Sequence, residues 1–318
     1  MKAWSRVFGE GGVVGIKNDH LPIWKMRLAL LMWVASKRAD AVVFESALLL
    51  VLTPTRSATI IWDTNGCETA HYDRLPKSFG NKLRRQLWRV IEWRGCARSS
   101  AILAINHVEL DRWHSYFPRY ADHYTVVDHL PTLSPLRDAL PAPAPGLPAR
   151  YALFVCGPAK HNLEAAHWAC STIPSALSPD SALVLAGKGT DELSTHYPGV
   201  VGLGFVDDID AVIVGATVCI DPLATSAGVE LKVLHYLRLG QRVIGTKVAF
   251  EGLEGAPGCI TAERGDFAAA VRDMLDNDEP EGARESRRKE QAAWVADQLD
   301  PSRPRAQWRA LLATLKLV

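Results

Sequence analysis

The stretch T-S-A-G-V-E-L-K-V-L-H-Y-L-R-L-G-Q-R-V-I-G-T, Thr225 to Thr246, places a glycine ahead of an amphipathic helical pattern and a lysine one turn further on. The first backbone N–H groups of a helix lack intrahelical partners and carry partial positive charge, so they suit an anion. The pattern predicts that Gly228 to Leu231 form this first turn, that Val229 and Glu230 present N–H groups, and that Lys232 stands beside them as a mobile cation. A diphosphate fits that description. His235, in mid-helix, adds an imidazole able to donate to or accept from a hydroxyl. A second constellation, W-D-T-N-G-C-E-T-A-H, brings Asp63, Glu68 and His71 just past an apolar strand, where they are catalytic candidates to orient an acceptor hydroxyl. The competing reading of that run is a turn rich in hydrogen-bonding side chains.

Both constellations need a scaffold. After residue 150 the chain alternates apolar runs with helical patterns. Y-A-L-F-V-C-G, A-L-V-L-A-G-K-G, V-V-G-L-G-F-V, T-V-C-I-D-P and R-V-I-G-T read as strands; N-L-E-A-A-H-W-A-C-S-T-I, D-I-D-A-V-I-V-G-A and the opening stretch read as helices. Continuous apolar strands separated by helices indicate a parallel sheet covered on both faces, a Rossmann-like domain. No G-x-G-x-x-G follows its first strand, so the dinucleotide fingerprint is absent. The N-terminal half reads as α/β too: a helix over Ile23–Ser36, strands in A-D-A-V-V-F-E-S, A-T-I-I-W-D-T-N-G and S-A-I-L-A-I-N, and a helix over Leu83–Trp93. The proline-dense L-P-A-P-A-P-G-L-P-A-R is expected to be a stiff linker between the two halves. Two such domains would place ligands in a cleft at the carboxyl ends of their strands.

Composition narrows the partners. The net charge of +1 hides 20 Lys+Arg against 13 Asp+Glu in residues 1–150 (+7) and 16 against 22 in the remainder (−6). The basic charge concentrates in Lys77–Arg98, where Leu83, Leu87, Trp88, Val90 and Ile91 are expected to form one apolar face beneath a cationic one. Such a helix suits an anionic membrane surface or phosphates, and reads first as a docked surface helix with solvated arginines. Six cysteines without C-x-x-C spacing argue for buried thiols rather than zinc or disulfides. No apolar run is long enough to span a bilayer and no secretory leader pattern is visible, which gives a cytoplasmic expectation, peripheral to the inner face of a membrane in the membrane reading.

In order and spacing, the blocks F-V-C-G-P-A-K-H-N-L-E-A-A-H-W, V-L-A-G-K-G, V-V-G-L-G-F-V-D-D-I, V-C-I-D-P, A-G-V-E-L-K-V-L-H-Y-L-R-L-G-Q-R-V-I-G-T and F-E-G-L-E-G resemble the donor-binding domain of retaining GT-B glycosyltransferases that use nucleotide sugars, the glycosyl transferases group 1 or family 4-like enzymes. The N-terminal half matches loosely, through W-D-T-N-G-C-E and R-V-I-E-W-R-G-C-A-R-S-S-A-I-L-A-I-N. The resemblance implies that Gly157 leaves room for sugar or phosphate, that Lys160 or His161 approaches the diphosphate, and that Phe205, Val206 and Asp207 hold the base. It also implies that Gly228, Val229, Glu230 and Lys232 serve the phosphates and that His235 stands where the family has its ribose-binding glutamate. The family's partner glutamate is matched by Ala227, and Glu230 stands where a basic residue is common. A carboxylate beside a diphosphate repels it unless it turns away or pairs with a cation such as Lys232.

The expectation is therefore α/β, a GT-B fold with a shortened N-terminal domain in which Gly11 and Gly12 are a remnant glycine loop or a lead-in. Its parts are an acceptor-side domain over 1–140, a linker over 141–150, a donor domain over 151–285 and C-terminal helices over 286–318, the last packing back on the first domain. The implied activity is metal-independent, retaining transfer from a nucleotide-diphosphate sugar to a hydroxyl on a glycan, a lipid-linked acceptor or modified nucleic acid, without a cofactor. A non-catalytic nucleotide-sugar or glycan-binding accessory protein is the alternative.

Overall fold

The computed structural model describes residues 39–53, 58–64, 66–75, 77–128, 140–225 and 229–317. The expected helix at Ile23–Ser36, the pair Gly11–Gly12, and Ala227 and Gly228 of the expected phosphate site lie outside them. The chain divides into two compact units, Met1–Thr132 with Asp300–Val318, and Leu133–Leu299.

The first unit holds a four-stranded parallel sheet in chain order: β1 (Ala41–Phe44), β2 (Thr59–Asp63), β3 (Ala101–Ala104) and β4 (Tyr124–Val126). Between them run the helices α1 (Ala47–Leu52), α2 (Glu68–Arg74), α3 (Phe79–Arg98) and α4 (His107–Tyr116), with a 3-10 turn at Pro118–His123. Phe44, Ile60, Trp62 and Ile102 pack on one face against Leu50, Cys96 and Trp113. Ile61 and Leu103 pack on the other against Trp308, Leu311, Leu312 and Leu315 of the chain's last helix and its end. Trp62 is buried edge-on to Trp113, with ring centroids 5.0 Å apart, and serves as a packing residue out of reach of any ligand. Gly95 lets α3 lie directly on it, since a Cβ there would fall 2.8 Å from the indole.

Helix α3 corrects the expected docked face. Glu92, Gly95 and Cys96 are buried and Trp88 and Ile91 half-buried, whereas Leu83, Leu87 and Val90 face solvent. The helix has two apolar sides, and the sequence pattern merged them into one.

The second unit holds a six-stranded parallel sheet in the order β10-β9-β8-β5-β6-β7, with β5 (Arg150–Val155), β6 (Ser181–Ala186), β7 (Val200–Gly202), β8 (Val218–Asp221), β9 (Val243–Gly245) and β10 (Cys259–Thr261). Its helices are α5 (Lys160–Thr172), α6 (Thr190–His196), α7 (Ile209–Gly215), α8 (Leu231–Arg238), α9 (Phe267–Asp276) and α10 (Glu281–Gln298). Phe154, Leu183 and Ile220 meet α5 and α9 through Ala165, Ala169, Phe267 and Val271. Leu153, Val184 and Cys219 meet α7 and α8 through Ile213, Leu234 and Leu237 on the opposite face. Both faces are covered, which explains the uninterrupted apolar strands. The final helix, α11 (Ser302–Thr314), belongs to the first unit, whereas α10, expected with it, belongs to the second.

The five cysteines at 67, 96, 156, 170 and 219 are buried and all six thiols are free. Burial pushes the Cys156 and Cys170 thiols up to about 11.

Candidate functional site

Strand order in the second sheet reverses between β5 and β8, and open α/β sheets bind ligands at such a switch. Pairing of β5 with β8 ends at Leu153↔Cys219, so beyond it the strands part. The Val155 N–H, left without a strand partner, is accepted by the buried Tyr236 hydroxyl of α8 at 2.9 Å.

Lys232 is held in this opening. Its Nζ donates to Asn162 Oδ1 of α5 at 2.8 Å, to Asp221 Oδ1 at the end of β8 at 3.0 Å, and to Glu230 Oε2 at 3.0 Å, and it lies 5.3 Å from the centre of the Phe154 ring. The expected mobile cation is thus a fixed one. The apolar stem of Lys232 starts in the first turn of α8, and three acceptors surround its charge, so the ammonium has no reason to leave. Asp221 is fully buried; burial raises its carboxyl to about 7 against the opposing pull of Lys232. Its second oxygen, Oδ2, is buried and makes no hydrogen bond among the described residues.

Two further expectations change. Helix α8 begins at Leu231 with Glu230 at its cap, in extended conformation and without a side-chain cap bond, so Val229 and Glu230 precede the helix rather than forming its first turn. Glu230 does pair with Lys232, the condition under which its carboxylate is tolerable near an anion. His235 Nε2 lies 2.8 Å from Asp210 Oδ1 of α7. Burial lowers the imidazole's pKa, outweighing Asp210, so at neutral pH the ring is neutral and donates Nε2–H to the carboxylate.

The strand ends beside the switch are laced by glycines. Cys156 N–H donates to Ala186 O at 2.7 Å, Gly187 N–H to Gly204 O at 2.7 Å, and Gly204 N–H to Thr190 Oγ1 at 3.0 Å. Gly187, at φ +137, lies so close to β5 that a Cβ would stand 2.0 Å from Cys156 O. This lattice fixes the base of the loop on which Phe205 projects, 77 % exposed, with Val206 tucked against the core and Asp207 exposed. Gly157 sits against Asn162, whose Nδ2 a Cβ would meet at 3.2 Å. Lys160 opens α5 behind Ala159, which offers no side-chain cap, and His161 follows it. Gly157, Asn162, Lys232, Asp221 and Glu230 therefore form one contiguous cluster. Asn162, Asp221 and Asp210 were missed in the sequence; the signal for Asp221 was a carboxylate ending the apolar run V-C-I-D-P.

In the first unit Asp63 is buried at the end of β2, and the next residue, Thr64, bonds Leu103 O through its N–H and hydroxyl. Glu68 and His71 lie on α2, a helix where a turn was one reading, and burial raises the Glu68 carboxyl while His71 acts against it. The amino end of α2 is capped from α3: Glu92 accepts from Glu68 N–H at 2.6 Å, from Thr69 N–H at 3.1 Å and from the Thr69 hydroxyl. Glu109 accepts the Cys67 N–H at 3.2 Å and pairs with Arg112.

Residues 149–277 match the family model described as Glycosyl transferases group 1. No curated protein sequence matches the chain. Among solved structures, the chain is similar to sucrose-phosphate synthase from Thermosynechococcus elongatus (TM-score 0.68, 15 % identity, 93 % of this chain and 80 % of that one). It is also similar to Anabaena HepE in complex with UDP and glucose (0.64, 12 %, 91 % and 82 %) and to the Escherichia coli protein titled trehalose-6-phosphate, bound with UDP-2-fluoro glucose (0.63, 10 %, 97 % and 81 %). At these identities the structural likeness is one of fold: the chain has the GT-B fold, and residues 149–277, within its second unit, match the glycosyl transferases group 1.

Proposed function

We propose that the protein transfers a sugar from a UDP-sugar to a hydroxyl acceptor, with retention of configuration and without a metal. The observation that carries this reading is the cluster at the switch of the second sheet, where Gly157, the start of α5 and the Val229–Glu230 backbone adjoin the fixed ammonium of Lys232. The diphosphate would lie at that helix start beside the side chains of Lys160 and His161, and Lys232 would act through the residues it fixes. Preorganised donors of this kind stabilise the charge that develops on a departing nucleoside diphosphate. The base would stack on the exposed Phe205 ring, with Val206 and Asp207 beside it. His235, its Nε2 engaged by Asp210, would offer its other ring nitrogen to a ribose hydroxyl. Asp63, Glu68 and His71 remain the candidates for orienting the acceptor.

Thermal unfolding with UDP-glucose, GDP-mannose and ADP-glucose tests the donor. A ligand at about 100 times its Kd stabilises the bound state by about 2.7 kcal/mol, several degrees in Tm for a unit of this size. The UDP-sugar is expected to give that shift and the others little; no shift from any of the three removes the donor assignment.

A further inference from the structure

We propose that helix α3 of the first unit docks on a bilayer carrying anionic phospholipid. Its sequence places Phe79, Leu83, Leu87, Val90 and Trp93 at spacings of four, four, three and three, one side of a helix. All five are exposed, from 85 % at Phe79 to 48 % at Trp93. The same helix already packs through the opposite side, where Glu92, Gly95 and Cys96 are buried, so the outward apolar stripe is surplus to the fold.

Charge selects the occupant. Over Phe79–Arg98 the helix carries Lys82, Arg84, Arg85, Arg89, Arg94 and Arg98, and its one acid, Glu92, is buried. Arg85 pairs with Asp73 and Arg98 holds the carbonyls of Leu50, Val51 and Thr53, whereas Lys82, Arg84, Arg89 and Arg94 make no ion pair among the described residues. Beside the end of the stripe a cavity of about 430 Å³ opens between α3 and the 3-10 turn, lined by Arg89, Val90, Trp93, Arg119 and Tyr120. Two guanidiniums with aromatic rings at the border of an apolar strip match a phosphate headgroup whose acyl chains lie along that strip. The chain's own residues 1–38 are a poor cover: they hold seven Lys+Arg against two Asp+Glu, and cation would face cation. A nucleic-acid partner would find phenylalanine, leucine and valine where it needs polar donors. Among the described residues no helix is long and apolar enough to cross a membrane, so the mode is lying on the surface.

The test is co-sedimentation of the full chain with vesicles of phosphatidylcholine alone and of equal parts phosphatidylcholine and phosphatidylglycerol, with a short duplex DNA and free glycerol phosphate as competitors. Binding is expected only to the anionic vesicles, weakened by salt and unaffected by glycerol phosphate. One basic residue near such a surface is worth about fivefold in partitioning. Arg84→Glu with Arg89→Glu should therefore lower binding by on the order of a hundredfold or more, and Leu83→Ser with Leu87→Ser by on the order of tenfold. Circular dichroism of each variant checks that the fold persists. The proposal is overturned if wild-type protein ignores anionic vesicles, if DNA binds while vesicles do not, or if both folded variants bind vesicles like wild type, which would move the contact to another part of the chain.

Discussion

Glu92 in the first unit and Asp221 in the second are buried carboxylates that organise their surroundings, and the two are answered in opposite ways. Glu92 is met by backbone: two N–H groups and a hydroxyl at the start of α2 converge on it. Burial raises it to about 7, and the bonds from Thr69 and Glu68 pull it back. Asp221 is met by a cation, and only on one of its oxygens. A carboxylate wrapped in helix N–H groups has no valence left for a ligand, so Glu92 is a cap supplied across the chain. A carboxylate holding a lysine that is itself shared with Asn162 and Glu230 sits in a cluster of one cation and two carboxylates, whose net charge is set by the protonation of Asp221. The sheets differ in the same sense. Strands of the first run in chain order among the described residues, whereas the second reverses and opens a crevice.

The largest effects should come from breaking these arrangements outright. Gly187→Ala would force a Cβ against Cys156 O at a backbone angle that side chains avoid, and should cost about 4 kcal/mol or more, read as a lower urea midpoint for the second unit. Glu92→Ala should cost the first unit about 4 kcal/mol, because three donors, two of them buried, lose their acceptor together. If Glu92→Ala unfolds at the wild-type midpoint, the capping account is wrong.

Next comes the cation. Lys232→Met leaves Asp221 and Glu230 facing each other without a counter-charge and should destabilise by about 3 kcal/mol. Adding Asp221→Asn should return a large part of that cost, whereas Asp221→Asn alone leaves Lys232 with two acceptors and should cost about 1 kcal/mol. Additive values in this cycle would mean that the pair is not coupled.

Acidity separates the two units less sharply. Both carboxyls are raised on folding, so both favour the protonated form and contribute stability that is complete below their unfolded pKa and is lost as pH rises. For Glu92 the loss runs from about 4.5 to about 7, and for Asp221 from about 3.8 to about 7. These two groups should lower Tm by several degrees between pH 5 and pH 8. Asp221→Asn should remove the slope of the second unit and Glu92→Gln that of the first; a slope untouched by either variant would assign it to other groups.

The second unit was legible in the sequence because its strands are covered on both faces and so print as continuous apolar runs. The first was legible in its strands but not in α3, where an outward stripe and an inward face share one helical turn pattern. For the site, glycines and the position of Lys232 could be read, because spacing in the chain carries them. Its partners could not: Asn162 is 70 residues away and Asp221 lies across a strand end, so only the fold brings them to the ammonium. Asp210 was hidden for the same reason, sitting 25 residues before the histidine it engages.

That last pair yields the smallest and most discriminating effect. The resemblance in sequence implies that His235 stands in place of a ribose-binding glutamate, and the simplest restoration, His235→Glu, would set a carboxylate at hydrogen-bonding distance from Asp210. Two partly buried anions in contact disfavour each other, so His235→Glu alone should lose about 1 kcal/mol of stability and gain nothing in UDP affinity. Changing Asp210→Asn as well turns the repulsion into an amide-to-carboxylate hydrogen bond, so the double variant should regain that stability and hold a free carboxylate oxygen for ribose. Calorimetric titration with UDP, with Tm measured in parallel, compares the four proteins. Tighter UDP binding in the double variant than in either single one would show that Asp210 keeps the histidine in the ribose position; equal affinity in all four would place the ribose away from α8.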